Sequence, residues 1–102
     1  MNTGTTETTG GVLRGTVENG IHVFRGVPYG ESTAGARRFL PPRPRRWSGT
    51  LAATRFGARS PQVTRWTAEA PHLVWNRDTT PTSEDCLVLN VWSPTDGSGT
   101  TR

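Results

Sequence analysis

Apolar residues along this chain come in short bursts rather than in long periodic runs. Val12-Leu13-Arg14-Gly15-Thr16-Val17 and Ile21-His22-Val23-Phe24-Arg25 are two β-favouring stretches separated by Glu18-Asn19-Gly20. Asn-Gly readily takes the positive φ angles of a tight turn, so the pattern predicts a β-hairpin. Pro28, within Gly26-Val27-Pro28-Tyr29-Gly30, has no N–H to give to a ladder and predicts the end of the second strand. Leu87 to Trp92 is apolar at every position except Asn90, which predicts a strand covered on both faces within a larger sheet. Leu51 to Phe56 is too short for its period to separate a helical turn from a strand.

The polar stretches divide the rest. Residues 1–10, a Thr/Gly-rich run, have nothing to bury and predict a disordered polar tail. Residues 31–46 form an extended Arg/Pro loop in which Pro41, Pro42 and Pro44 fix φ and exclude helix, and Trp47-Ser48-Gly49 closes it. From Arg59 to Thr82, Pro61, Pro71 and Pro81 are evenly spaced with Trp66 and Trp75 between them. This predicts a long surface loop with a short helix around Thr67. Residues 95–102 have the composition of a turn and linker, and no internal repeat is present.

Composition narrows the picture. Of 102 residues 31% are hydrophobic, against 12 Gly and 8 Pro, so the chain is a thin-cored, loop-rich piece that predicts dependence on partners or on the remainder of a domain. One cysteine and two histidines provide neither a disulfide framework nor a metal site. All twelve basic residues are Arg, and Arg37, Arg38, Arg43, Arg45 and Arg46 lie within ten positions. The positive charge is therefore a local patch. No helix-turn-helix, zinc or ribonucleoprotein pattern accompanies it, which argues against nucleic acid as a partner. Residues 1–11 lack a basic start and an apolar stretch, so neither signal peptide nor membrane span is read there. With a single unpaired cysteine, a cytoplasmic location is expected.

Two short patterns invite functional readings. Gly30-Glu31-Ser32-Thr33-Ala34-Gly35 nearly spells the nucleophile elbow G-x-S-x-G, but an elbow needs a buried strand before the serine and a helix after it. Here Pro28 precedes, and Arg37, Arg38 and the proline loop follow. The available bases are His22, read as a facing residue of the hairpin, and His72, in a proline-flanked loop without a paired acid. No catalytic residue is assigned. Arg38-Phe39-Leu40-Pro41-Pro42-Arg43-Pro44 fits the R-x-x-P-x-x-P pattern of ligands for SH3-like grooves. That supports an alternative reading of the chain as a non-catalytic interaction module, though a stiff loop inside a fold has the same composition.

Several blocks in order carry a sharper resemblance. Val23-Phe24-Arg25-Gly26-Val27-Pro28-Tyr29-Gly30, Arg38-Phe39, Pro44 to Trp47, Phe56-Gly57-Ala58-Arg59-Ser60-Pro61-Gln62 and Ser83-Glu84-Asp85-Cys86-Leu87-Val88-Leu89-Asn90-Val91-Trp92 together resemble the start of type B carboxylesterases, the family that includes the cholinesterases. The resemblance spans roughly Gly11 to Pro94. It implies the α/β class, with residues 11–94 as the N-terminal portion of an α/β-hydrolase fold: an antiparallel hairpin, a long Arg/Pro loop and an early strand of the central sheet, incomplete as a domain. The implied reaction is serine-dependent hydrolysis of a small ester through an acyl-enzyme. It needs no cofactor, and the serine, histidine and acid come from outside these residues.

The resemblance also assigns residues. It implies a structural ion pair between Arg38 and Glu84, chemically apt because a guanidinium can bond a carboxylate through two N–H groups. On the residues alone, Glu84 and Asp85 read equally as solvated charges or as a helix cap after Ser83. Trp75-Asn76 resembles the Trp-Asn with which cholinesterases hold a cationic substrate, making Trp75 a candidate gorge aromatic. Packing against its own loop is the plainer reading. Where the family usually has a cysteine bonded to the position of Cys86, this chain has Ser60, which leaves Cys86 as a small buried apolar residue.

Overall fold

The computed structural model describes residues 2–62 and 80–94. Five strands form one sheet: β1 (Asn2–Thr8), β2 (Gly11–Glu18), β3 (Ile21–Pro28), β4 (Thr50–Ala52) and β5 (Val88–Ser93). The order is β1-β2-β3-β5, with β4 running parallel to β2. A single 3₁₀ turn, Gly35–Arg37, is the one helical element among the described residues.

The central hairpin forms where the Asn-Gly signal predicts it. Asn19 (φ 52°) and Gly20 (φ 77°) both take positive φ, which matches the right-handed twist of the flanking strands. β2 and β3 pair only from Thr16 to Glu18 and from Ile21 to Val23. Beyond that the strands splay, and β4 enters the gap. The Ala53 N–H donates to the Arg14 carbonyl at 2.7 Å and the Arg25 N–H to the Ala53 carbonyl at 2.9 Å. Of the segment left ambiguous by its period, Leu51 and Ala52 are strand, and Ala53 just beyond them is held by backbone groups that the splayed hairpin leaves unpaired. Gly15 permits the close passage of β3 beside β2, since a Cβ there would lie 2.6 Å from Phe24 Cδ1 and against the Val23 carbonyl.

Leu13, Phe24 and Ala53 are buried together, with Val27, Trp47 and Leu51 packed against them. Strand alternation puts Val23 and Thr16, both buried, on the opposite face. Burying a side chain such as Phe24 contributes about 1.5–3 kcal/mol, so this cluster is the main apolar driving force among the described residues.

Three expectations change. Residues 2–8 are not a disordered tail but strand β1, paired along its length with β2. Their threonines are β-branched and suit a pleated strand. The turn into β2 is fixed by Thr8, whose Oγ1 accepts the Gly10 and Gly11 N–H groups at 3.2 and 3.1 Å. Trp47 then pins the turn by donating Nε1 to the Val12 carbonyl at 2.9 Å and its own N–H to the Gly10 carbonyl at 2.9 Å. Second, the proline-rich loop opens with a 3₁₀ turn, at residues that precede the prolines. Third, β5 begins one residue later than predicted, and Leu89, Val91 and Trp92 remain 42%, 40% and 54% exposed. The helix expected around Thr67 and the linker at 95–102 lie outside the described residues.

A bulge sets the geometry at the end of β3. Pairing with β5 runs Phe24↔Val91 and then Val27↔Leu89, so Arg25 and Gly26 together oppose Asn90. Gly26 takes φ +71°. Its N–H donates to Asn90 Oδ1 at 2.9 Å, which explains the polar residue within the apolar run from Val88 to Trp92.

Candidate functional site

The chain leaves β3 into a loop tied to itself and to the segment that leads into β5. The Tyr29 N–H donates to the Leu87 carbonyl at 3.0 Å, and the Glu31 N–H to the Arg43 carbonyl at 2.9 Å. Gly30 bridges Pro44 across the loop. Thr33 Oγ1 donates to the Glu84 carbonyl at 3.1 Å. At the same point Arg38 Nε lies 3.1 Å from Glu84 Oε1, an exposed ion pair at the root of the loop. No helix follows Ser83, whose Oγ instead accepts the Asp85 N–H at 3.0 Å. Arg37 pairs with Glu31 at 3.4 Å and donates to the Pro41 carbonyl at 3.3 Å. Phe39, at φ 62°, is almost fully exposed beside the Arg38 guanidinium.

Below this loop is an open cleft of about 710 Å³, lined by Tyr29, Phe56, Ser60, Cys86, Val88 and Asn90 among others. Ser60 and Cys86 thus share one cleft. Cys86 is free and half-buried rather than fully buried, because the cleft opens beside it.

Ser32 sits in irregular backbone between Gly30 and the 3₁₀ turn, with its Oγ accepting the Ala34 N–H at 3.3 Å. It has neither the strand before it nor the α-helix after it that an elbow requires. His22 lies within β3, and its Nδ1 is buried without a hydrogen-bond partner. His72 and Trp75 lie outside the described residues.

One cluster was not singled out from the sequence. Arg25 Nη1 and Nη2 reach Glu18 Oε2 and Oε1 at 2.9 and 3.4 Å. Its guanidinium lies over Phe56 at 5.3 Å and Trp92 at 5.9 Å. Thr16 Oγ1 also donates to Glu18 Oε2, at 3.0 Å. The hydrogen bonds from Arg25 and then Thr16 hold the Glu18 carboxyl below its ordinary pKa of 4.5. Strand parity was the available signal: once the Asn-Gly turn fixes the register, Thr16, Glu18, Val23 and Arg25 share one face.

The hairpin, its bulged exit and the loop tied back at Glu84 are features that can be compared with known proteins. Residues 2–102 match the carboxylesterase family. The chain belongs to this family. It is 42% identical over 88 residues to a phenmedipham hydrolase of Pseudarthrobacter oxydans, covering 85% of this chain and 17% of that protein. It is 36% identical over 89 residues to the para-nitrobenzyl esterase of Bacillus subtilis, covering 82% and 16%. Among solved structures, a PNB esterase superposes with a TM-score of 0.73 at 33% identity, covering 90% of this chain and 18% of that one. A Geobacillus stearothermophilus carboxylesterase does so with 0.65 at 40%, covering 88% and 16%. The chain therefore spans about a sixth of the length of these carboxylesterases. Among the described residues no helix is long and apolar enough to cross a membrane.

Proposed function

We propose that this carboxylesterase-family chain is the N-terminal segment of a serine carboxylesterase of the α/β-hydrolase fold. The observation that carries the reading is the family match over residues 2–102 together with coverage of only 17% of a relative 42% identical to it. In the complete domain the reaction is hydrolysis of a small carboxylic ester through an acyl-enzyme, without a cofactor, in the cytoplasm. The nucleophile, the oxyanion donors, the base and the acid come from the remainder of the domain. Within this segment, the Arg38–Glu84 pair holds the loop that borders the substrate entrance. The remainder of the domain is the partner these residues need in order to fold.

Two observations favour this over the interaction-module reading. A polyproline ligand needs φ near −75° along its length, whereas Phe39 in the R-x-x-P-x-x-P stretch takes +62°. The arginine that would lead the motif is also engaged with Glu84.

An esterase assay of the purified 102-residue chain, with short-chain p-nitrophenyl esters before and after organophosphate treatment, tests the reading. The expected result is no turnover above buffer and no covalent adduct. Stoichiometric labelling of Ser32 with loss of turnover would overturn it.

A further inference from the structure

The loop that follows β3 gathers the positive charge of the chain. Between Glu31 and Glu69 there are eight arginines and no carboxylate. Among the described residues, carboxylates answer only two of them, Arg37 through Glu31 and Arg38 through Glu84. The side chains of Arg43, Arg45 and Arg46 make no ion pair or hydrogen bond within the described residues. Arg43 and Arg46 are exposed, and Arg45 is partly so. Their backbone is held in place all the same. The Glu31 N–H donates to the Arg43 carbonyl, Gly30 bridges Pro44, and Trp47 is tied to the Gly10 and Val12 carbonyls. Pro41, Pro42 and Pro44 fix φ between these ties. The three guanidinium groups are thus displayed on a stiffened stretch, which lowers the ordering cost of meeting a partner.

An apolar tip lies directly before them. The Leu40 N–H donates to the Arg37 carbonyl at 3.1 Å, with Arg38 at φ −59°, ψ 135° and Phe39 at φ 62°. This is the shape of a type II turn, whose third position normally goes to glycine. Phenylalanine in that place is held out at the corner, 99% exposed, with Leu40 53% exposed beside it. From Leu40 to Arg46 the chain reaches at most about 20 Å, so the tip and the arginines can meet one surface. An acidic protein surface would engage the arginines and leave both apolar side chains unexplained. A nucleic acid could stack on Phe39 but offers nothing to Leu40, and no recognition pattern for it accompanies the patch. A bilayer that contains anionic lipid uses both features.

We propose that Leu40, Arg43, Arg45 and Arg46, with the Phe39 ring, form a peripheral docking surface for an anionic lipid bilayer. The guanidinium groups meet the charged headgroups, and the two apolar side chains enter the boundary between headgroups and acyl chains, so the protein lies on the membrane without crossing it. Each arginine near an anionic leaflet is worth about fivefold in binding, so the three together give about a hundredfold.

Co-sedimentation with vesicles of phosphatidylcholine alone, or mixed with phosphatidylserine, tests this. The protein is a chimera in which this chain replaces the matching stretch of the Bacillus subtilis para-nitrobenzyl esterase, with retained esterase turnover as the sign that each variant is folded. Binding to the phosphatidylserine vesicles is expected to exceed binding to phosphatidylcholine by about a hundredfold and to fall with added salt. The triple variant Arg43→Gln, Arg45→Gln, Arg46→Gln should lose that preference. Leu40→Gln should weaken binding to both vesicles, and Arg14→Gln, an exposed arginine of β2, should change neither. The parent esterase carrying only residues 39–46 of this chain in its own loop is expected to gain the same preference, which keeps the test independent of whether the whole chimera folds. Equal binding to the two vesicles, or a triple variant that keeps the preference, would overturn the proposal. So would binding to single-stranded RNA with none to vesicles, which would mark the arginines as a nucleic-acid surface. None of these outcomes decides the hydrolytic reading, which organophosphate labelling tests on its own.

Discussion

Several interactions converge on Arg25: a two-point bond to Glu18 and two aromatic faces, Phe56 and Trp92. The rings reward a planar guanidinium that also forks onto a carboxylate, so Arg25→Lys is not a conservative change. A chimera in which this chain replaces the matching stretch of the Bacillus subtilis esterase allows such effects to be measured in a complete domain. There, Arg25→Lys is expected to cost about 1 kcal/mol in chemical denaturation through weakened stacking and lost bidentate geometry. The same cluster carries a pH dependence. Because the folded-state pKa of Glu18 is lowered, its contribution to stability is present above the ordinary value of 4.5 and is lost as pH falls through the folded-state value. Glu18→Gln is therefore expected to flatten this acid limb of the stability profile, and an unchanged limb would show that Glu18 is not responsible. At the loop root, Arg38→Ala removes an exposed ion pair and should lower stability by no more than about 1 kcal/mol. Its larger effect is expected on the amide exchange of residues 31–46, which loosen at their tie to Glu84.

At the scale of elements, the hairpin was legible because Asn19-Gly20 specifies its turn locally, and β5 was legible because its apolar run needs no partner to be recognised. β1 was not. Its threonines read as a polar tail until β2 offers a ladder and Trp47, remote in sequence, pins the turn at Gly10. β4 was ambiguous for a related reason, since three residues become a strand only through the gap that opens between β2 and β3. The Arg38–Glu84 proximity was anticipated from the ordered motif blocks, whereas the Arg25 cluster needed the strand register. The close passage of β3 over Gly15 is likewise a tertiary feature that composition does not announce. Gly15→Ala should cost about 1–3 kcal/mol in the chimera by forcing Phe24 and the Val23 carbonyl away. An unchanged denaturation midpoint would mean that the strands relax apart without penalty.

For the molecule as a whole, apolar exposure among the described residues is concentrated on β5, Phe56, Tyr29 and the Phe39-Leu40 tip, while the buried cluster among them is small. A sheet with one apolar edge and open faces is poorly covered by so few buried residues. The chain as a sixth of a carboxylesterase domain accounts for the exposure on β5, Phe56 and Tyr29 without a separate explanation for each. If, as proposed, the rest of that domain holds these residues in order, thermal denaturation of the isolated 102-residue chain at low concentration, followed by tryptophan fluorescence, reads it out. The account predicts a broad, non-cooperative melt or concentration-dependent aggregation, with the four tryptophans accessible to quencher at the start. A sharp, reversible transition from a monomer with protected tryptophans would contradict it and would mark the chain as an independent domain.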